Sequence, residues 1–328
     1  MKKLLFLVLI LIPILLLTGC EGEEDETFSI GTTQIVEHPA LDSAREGFIE
    51  ALEEEGYTED ENLEIMHENA QGEPSTANSI AQKFDREDLD LILTISTDSS
   101  QSMASVIEET PILITAVTDP VSAELVDSLE SPGGNITGTT DINPVKEQLE
   151  LIKDFIPDTS TVGILYNSGE VNSRVQVDMA QDAAKELDLE IEEATVTNTG
   201  EVTQATSSLV DKVDAIYIPT DNTVVSAVST VLQNAHTEGV PVFGSERGQV
   251  EDGAVATLGL DYFQLGKQTG EMAASILEGE DPAEMPIESS EDHTLLVNEE
   301  TCEELDLEIP SDLEAEIDEY LPESESSE

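Results

Sequence analysis

The chain has 328 residues, with 12 Lys and Arg against 73 Asp and Glu and a formal net charge of −61 at pH 7. This charge excludes DNA and RNA as partners, because nucleic-acid binding needs a basic surface that attracts phosphates. Since 38% of the residues are hydrophobic and fall in regular patterns, the chain is not disordered. We attribute the acidity to a habitat of high salt or high pH.

The N-terminal residues have the features of an export signal. Lys2 and Lys3 precede an apolar run, Leu4 to Leu17, that is too short to span a bilayer as a helix. The following Thr18-Gly19-Cys20 completes a segment that resembles the bacterial lipobox, in which the cysteine is acylated. We therefore expect residues 1–19 to be a lipoprotein signal peptide, Cys20 to be lipidated, and residues 20–27 to be an acidic tether. An uncleaved membrane anchor is the alternative.

From Phe28 onward, short β-rich apolar runs alternate with stretches of helical period, which is typical of parallel-sheet α/β proteins. The first series predicts strands at Phe28–Gln34, Leu63–Glu68, Leu91–Ile95 and Ile112–Ala116. Between the first two strands, Leu41–Glu55 is predicted to be helical because its apolar residues fall on one face. The glycine-rich residues 133–138 have the wrong spacing for a phosphate-binding loop and are predicted to be a crossover turn.

A second series of the same kind follows, so the pattern predicts two similar lobes. Its predicted strands are Val162–Tyr166, Glu190–Thr197, Ala215–Pro219, Val240–Phe243 and Ala254–Leu258. Its predicted helices are Pro144–Phe155, Val171–Leu187 and Val224–His236. From Pro310 onward we expect a terminal helix and then a solvated end.

Candidate ligand-binding residues directly follow the predicted strands, because open α/β sheets bind ligands outside the carboxyl ends of their strands. Hydroxyls, amides and single acids dominate there. They suit a small zwitterion, whose carboxylate would meet hydroxyls and helix N-termini and whose ammonium would meet an acid. The same residue types also cap helices, so each one alone has that alternative role. The candidates are Gln34, His38, Ser96, Thr97, Ser99, Thr118, Asp119, Tyr166, Asn167, Glu170, Asp221, Asn222, Ser245 and Asp261.

Within this set, we expect Asp221 and Asp119 to face one another across a cleft and at least one to take the ammonium. Asp221 is preferred because Asn222 and Thr223 can begin the next helix and leave its carboxylate free of capping. Asp119 precedes Pro120 and can instead fix a turn. The expected carboxylate ligands are Ser96, Thr97 and Ser99, the expected polar shell is Asn167, Glu170 and Ser245, and the expected apolar wall is Tyr166 or Phe243.

Enzyme motifs are absent from the sequence: it has no dinucleotide or P-loop glycine pattern, no nucleophile elbow and no zinc-protease motif. The four histidines are scattered without metal-ligand spacing, and Cys302 has neither a CxxC partner nor a neighbouring base. We therefore expect no cofactor, no metal and no enzymatic activity. The alternative is an exported hydrolase that acts through Asp119, Glu170 or Asp221.

Over residues 30–297 the sequence resembles the substrate-binding lipoproteins of ABC importers, a family that includes members that bind tryptophan and other aromatic amino acids. The matching segments are 38–42, 69–72, 115–121, 148–151, 163–167, 170–173, 219–222 and 261–266. One departure is Thr97-Asp98-Ser99-Ser100-Gln101, where relatives often carry Thr-Pro-Ala-Ala-Gln, so part of an apolar wall has become polar.

The resemblance implies a type I periplasmic-binding-protein architecture, with two Rossmann-like lobes that grip a ligand between them. It places one lobe at 28–140 and 262–286, the other at 141–261 and 287–320, and a disordered tail at 321–328. It implies a monomer, anchored by lipid at the outer face of the cell membrane, that delivers a small solute to an ABC permease and ATPase. The expected solute is an amino acid, with aromatic ones among the candidates. A sensor that signals to a membrane receptor is the alternative.

Overall fold

The computed structural model describes residues 27–290 and 293–322. The predicted signal peptide, Cys20, nearly all of the tether and the last six residues lie outside the described residues. The strands are β1 (Phe28–Gln34), β2 (Leu63–Asn69), β3 (Leu91–Ile95), β4 (Ile112–Val117), β5 (Ile136–Thr140), β6 (Thr161–Asn167), β7 (Glu190–Val196), β8 (Ala215–Tyr217), β9 (Val242–Phe243), β10 (Ala256–Gly259), β11 (Glu288–Ser289), β12 (Thr294–Asn298) and β13 (Glu319–Leu321). The α-helices are α1 (Pro39–Glu54), α2 (Pro74–Phe84), α3 (Thr97–Ala104), α4 (Val145–Phe155), α5 (Val171–Leu187), α6 (Val202–Leu209), α7 (Asn222–Val225), α8 (Val228–Thr237), α9 (Arg247–Glu251), α10 (Tyr262–Leu277) and α11 (Glu299–Glu304).

The first lobe is a parallel sheet in the order β11-β5-β4-β3-β1-β2 with α1, α2, α3 and α10 packed on it. Every residue of β3 and β4 is buried, as expected for central strands that are covered by helices on both faces. The core joins these strands to Phe48 of α1, Phe84 of α2 and Leu265 of α10.

The second lobe contains a parallel sheet in the order β7-β6-β8-β9. A smaller mixed sheet, β10-β12-β13, shares its hydrophobic core through residues such as Val255 and Val297. Helices α4 to α9 and α11 cover these sheets. The chain passes between the lobes after β5, after β10 and after β11, so the ends of these strands lie at the hinge.

Helices α1 and α10 touch backbone to backbone, and this contact brings the residues at their N-termini together. A Cβ atom on Gly266 would lie 2.0 Å from the carbonyl oxygen of Ala44, and one on Gly47 would lie 2.0 Å from that of Phe263. Only glycine permits this approach. The close crossing places His38, just before α1, near Tyr262, which begins α10.

The α/β class with parallel sheets is confirmed, whereas several predicted elements are wrong. Part of the expected crossover turn is the buried strand β5, in which Gly138 is required because its Cβ would lie 2.1 Å from the Ile114 carbonyl oxygen. The predicted helix Val224–His236 is divided into α7 and α8. After Pro310 the chain forms hydrogen-bonded turns and then β13 instead of a helix, because Leu313 and Ile317 pack on the second lobe's core. Strand β11 pairs with β5, so first-lobe pairing extends past the expected boundary at residue 286.

Candidate functional site

A cavity lies between the lobes, at the carboxyl ends of the strands of both parallel sheets. It contains about 340 Å³ of space unoccupied by protein atoms, a volume that includes the solvent at its mouth. The two lobes touch beside it, where the Oγ1 atoms of Thr118 and Thr220 are 3.4 Å apart. The lining residues are His38, Ala40, Leu41, Ala116, Thr118, Asp141, Asn172, Thr220, Asp221, Asn222, Val225, Glu246 and Tyr262.

The first lobe presents buried hydroxyls at the start of α3. The hydroxyl oxygens of Ser96, Thr97 and Ser99 are buried, and none has a hydrogen-bond partner in the part of the chain that the structure describes. Ser96 has a φ of 89° and its side chain does not cap the helix, so the N-terminal turn of α3 has no side-chain cap from this position. Strain at such a position is typical of binding sites, and the positive end of the helix dipole favours an anion. These hydroxyls do not line the cavity itself; they lie at the same edge of the sheet.

Asp221 is the N-cap of α7, so the expectation that its carboxylate is free of capping is wrong. Its Oδ1 accepts a hydrogen bond from the amide of Val224 at 2.8 Å. Its Oδ2 accepts from the amide of Asn167 at 2.5 Å and from the Ser173 hydroxyl at 2.6 Å. The helix begins at Asn222, two residues before the predicted start at Val224, which makes Asp221 its cap. Burial, and then the charge of Glu170, raise the pKa of Asp221 to about 7.

Glu170 supports the same helix start from the end of β6. Its carboxylate accepts hydrogen bonds from the backbone amides of Asn222 and Thr223 at 2.9 and 3.0 Å and from the Thr223 hydroxyl at 2.8 Å. Asn167 also donates to the Thr223 hydroxyl oxygen, at 2.8 Å. Asn167 and Glu170, two of the three residues predicted as a polar shell around the ligand, therefore bind the start of α7 and fix the shape of the second lobe's wall.

Asp119 fixes a turn, the second of the two roles that the sequence allowed. Its carboxylate accepts from the amides of Val121 and Ser122, both at 3.0 Å, and from the Ser122 hydroxyl at 2.5 Å, and it does not line the cavity. Thr118 and Thr220 occupy the interlobe position that was expected for Asp119 and Asp221. Asp261 likewise caps α10 through the amides of Phe263 and Gln264.

The predicted apolar wall is wrong. The Tyr166 hydroxyl donates to Glu193 at 2.7 Å, and Phe243 packs edge-on against Phe155 in the second lobe's core. Neither ring lines the cavity, because both belong to the hydrophobic core of the second lobe. Gln34 and Ser245 do not line the cavity either, although Gln34 Oε1 and Ser245 Oγ are buried without partners in the described residues. The apolar part of the lining is Ala40, Leu41, Ala116 and Val225, together with the ring of Tyr262.

Sequence reasoning missed two acids and a tyrosine of the lining. Asp141 follows β5, a strand that the sequence pattern does not predict, so the pattern indicates no candidate residue at its carboxyl end. Glu246 and Tyr262 directly follow the predicted residues Ser245 and Asp261. The two turns were therefore predicted correctly, but the neighbouring side chain lines the cavity in each case. Glu246 caps α9 through the amides of Gly248 and Gln249, and burial raises its pKa to about 7.

The cavity is electronegative, because its lining includes Asp141, Asp221 and Glu246 and, among the described residues, no Lys or Arg. Burial lowers the pKa of His38. A hydrogen bond with the Asn222 side chain, on the other side of the cleft, acts in the opposite direction. The Nδ1 atom of His38 is buried and has no partner among the described residues. Such a lining attracts a cation and leaves neutral donors and acceptors for polar groups. No group of three potential metal-ligating side chains occurs in residues 27–290 and 293–322.

The family model for ABC transporter substrate binding proteins matches residues 29–320. The chain belongs to this family. It is 41% identical over 320 residues to a tyrosine-binding protein of Clostridioides difficile strain R20291, with 93% of each chain covered. The two-lobed α/β architecture is that of type I periplasmic binding proteins. Within the described residues, no helix has the length and apolar character needed to cross a membrane.

Two solved structures of relatives superpose on this chain to different extents. The Streptococcus ABC domain in complex with L-Trp is 34% identical, with a TM-score of 0.88, and a ligand-free, open substrate-binding protein from Clostridium difficile is 45% identical, with a TM-score of 0.71. Each comparison covers 90% of this chain and 100% of the relative. Higher identity with poorer superposition indicates a different arrangement of similar lobes. The arrangement of the two lobes in this structure is closer to that in the L-Trp complex than to that in the ligand-free, open structure. The contact between Thr118 and Thr220 of the two lobes agrees with this.

Proposed function

We propose that the protein is a lipid-anchored receptor that captures an aromatic amino acid outside the cell and delivers it to an ABC permease and its ATPase. The observation that carries the proposal is the pairing of an acid-lined interlobe cavity with unpartnered hydroxyls at the start of α3. The acids suit an ammonium group, and the hydroxyls with the helix N-terminus suit a carboxylate. The names of the relatives that bind tyrosine and tryptophan support an aromatic side chain.

The proposal excludes enzymatic activity. A hydrolase that used Asp119, Glu170 or Asp221 would need carboxylates free to exchange protons with a substrate. In each of these residues the carboxylate accepts hydrogen bonds from backbone amides that it holds in a turn or a helix start. Anchoring through Cys20, which is required for retention at the membrane, rests on the lipobox-like sequence at residues 17–20.

Ligand titration tests the proposal directly, and the composition of the chain makes the measurement simple. The protein contains no Trp, so the fluorescence of added L-tryptophan reports on the ligand alone. We expect L-tyrosine or L-tryptophan to raise the melting temperature, with about 2.7 kcal/mol of added stability at 100 times Kd. L-glutamate should have no effect, because the acid-lined cavity repels its side chain. A protein that is stabilised by other solutes but by no aromatic amino acid would refute the proposal.

A variant of the hydroxyl cluster tests the carboxylate end of the site. Ser99→Ala removes a buried, unpartnered hydroxyl, and we expect affinity for the bound amino acid to fall about tenfold, the effect of one hydrogen bond to a charged group. Ser105→Ala is the matched control, since the Ser105 hydroxyl is exposed at the other end of α3 and donates only to the Ser102 carbonyl. Equal affinities in the two variants would show that the cluster does not meet the ligand.

A further inference from the structure

Asp141 is the one acid of the cavity whose carboxylate has no helix to cap. It lies where the chain first passes between the lobes and is 3% exposed. Its Oδ1 accepts from the Thr118 hydroxyl at 3.0 Å and its Oδ2 accepts from the Tyr262 hydroxyl at 2.7 Å. Asp221 and Glu246 accept backbone amides at the starts of α7 and α9. Asp141 instead accepts from these two neutral hydroxyls and from its own backbone amide, and no charged donor meets it among the described residues. Burial raises its pKa, and the hydrogen bonds to its carboxylate oppose this rise without a cationic partner.

A directed chain of hydrogen bonds connects Asp141 to the second lobe. Gln176 Oε1 accepts from the amide of Thr220 at 3.3 Å, so the amide group is oriented with its Nε2 donating to the Thr220 hydroxyl oxygen. Because Nε2 can only donate, the Thr220 proton is directed to Thr118, 3.4 Å away. The Thr118 proton then points to Asp141. Every donor in the chain therefore points towards this carboxylate.

We propose that Asp141 binds the ammonium group of the ligand and that the chain Gln176–Thr220–Thr118–Asp141 couples this binding to closure of the lobes. The proposal rests on the proposed function, since it needs a ligand that carries an ammonium group. The ammonium supplies the cation that the site lacks and keeps Asp141 ionised. The ionised carboxylate is the final acceptor of the hydrogen-bond chain. The hydrogen bond between Thr118 and Thr220 joins the two lobes, so it forms only when the lobes meet. Neutral Asp141 keeps a carbonyl oxygen that can accept, but it is a weaker acceptor than the carboxylate, so protonation weakens the end of the hydrogen-bond chain.

The ammonium assignment is tested with two probes that differ only in that group, L-tyrosine and 3-(4-hydroxyphenyl)propanoic acid. By isothermal titration we expect the parent protein to prefer L-tyrosine by about 30-fold or more, the usual effect of a desolvated charge pair. Asp141→Asn should reduce this preference to less than about threefold. Asp221→Asn should keep most of it, because that carboxylate is occupied by capping. A preference that survives Asp141→Asn and disappears in Asp221→Asn would overturn the assignment.

The coupling is tested with Thr220→Val, which removes the interlobe link but leaves Asp141 in place. Small-angle scattering with and without saturating L-tyrosine should show the parent becoming more compact and Thr220→Val remaining closer to its ligand-free dimensions, with affinity about tenfold weaker. Thr206→Val is the matched control, because the buried Thr206 hydroxyl donates within its own helix to the Val202 carbonyl at 2.8 Å. Thermal melts of the ligand-free variants establish that each one folds.

The two levels of the hypothesis fail separately. If the parent protein binds neither L-tyrosine nor L-tryptophan, the proposed function is wrong. If the parent binds L-tyrosine and Thr220→Val closes and binds like the parent, the coupling through the chain is wrong and the function stands.

Discussion

Asp98 gives the sharpest test of the electrostatics of the cleft. It lies in the first turn of α3, where relatives often have an apolar residue, and it faces the second lobe. Burial, and then the charge of Glu170, raise its pKa from 3.8 to about 6, and Arg174 opposes this only in part. The change that tests this is Asp98→Asn, which keeps the size of the side chain and removes the titrating proton.

The sign of the effect follows from the raised pKa. The folded protein binds this proton more tightly than the unfolded chain, so its stability falls as pH rises from about 4 to 6, and the full loss persists above pH 6. A rise of about two pKa units destabilises the folded protein by about 3 kcal/mol at pH 7.5 and by about 1 kcal/mol at pH 4.5. Partial exposure and salt reduce each of these energies by about half. The lost interaction with the helix N-terminus, about 0.3–1 kcal/mol, opposes this gain and is smaller. We expect Asp98→Asn to add about 1 kcal/mol more stability at pH 7.5 than at pH 4.5.

Urea unfolding of the ligand-free protein at the two pH values and one ionic strength measures this difference. Glu108→Gln, which makes the same kind of change at an exposed position of the same lobe, is the control. If Asp98→Asn changes the free energy of unfolding by the same amount at pH 4.5 and pH 7.5, the carboxylate is solvated and the reasoning fails.

Three further predictions concern packing, charge and anchoring. Urea titration of Gly266→Ala should show a free energy of unfolding lower by about 3 kcal/mol, because the added Cβ would lie 2.0 Å from the Ala44 carbonyl oxygen. Gly134→Ala is the control and should change this free energy little, because the space around Gly134 is open. The melting temperature should rise with NaCl concentration, because the net charge of −61 is self-repulsive and salt shortens the Debye length from about 10 Å at 0.1 M to about 3 Å at 1 M; a flat curve would contradict this. Cys20→Ser should release the protein from the membrane fraction or block its processing, and mass spectrometry of the N-terminus would contradict the anchor if it found an unmodified residue beyond Cys20.

The central parts of both sheets could be predicted because their strands are continuous apolar runs. β1 and β3 begin and end where the pattern indicates. The missed β5 consists mostly of Thr and Gly, which the pattern assigned to a turn, and its burial depends on β4 and β11 packing on either side. The short β13 depends on its pairing with β12, which no local pattern encodes.

The position of the site could be predicted and the roles of its acids could not. The strand-end rule located His38, Thr118, Asp221 and Asn222, all of which line the cavity. Whether an aspartate caps a helix depends on the residue at which that helix begins, and a start two residues earlier than predicted decided the role of Asp221. For Asp141 and Glu246, the sequence shows neither the direction in which the side chain lies nor the number of hydrogen bonds that its carboxylate accepts.

The lobes differ in what they leave free for a ligand, and this predicts the order of binding. Within residues 27–290 and 293–322, the first lobe has buried groups without partners on His38, Ser96, Thr97 and Ser99. The Asp221 and Glu246 carboxylates of the second lobe are engaged in its own helix starts, although oxygens of Asn172 and Ser245 have no partner in the same residues. The ligand should therefore bind the first lobe in the open state, and the second lobe should close on it as a preformed wall.

Stopped-flow fluorescence of L-tryptophan can separate the two steps, since the chain adds no tryptophan signal of its own. Ser99→Ala weakens the first encounter, so we expect it to slow association several-fold. Asn222→Ala alters the wall that closes afterwards, so it should speed dissociation and leave the association rate constant nearly unchanged, because its contacts form only after the first encounter. The opposite pattern, with slow association in Asn222→Ala and an unchanged rate in Ser99→Ala, would mean that the second lobe binds the ligand first.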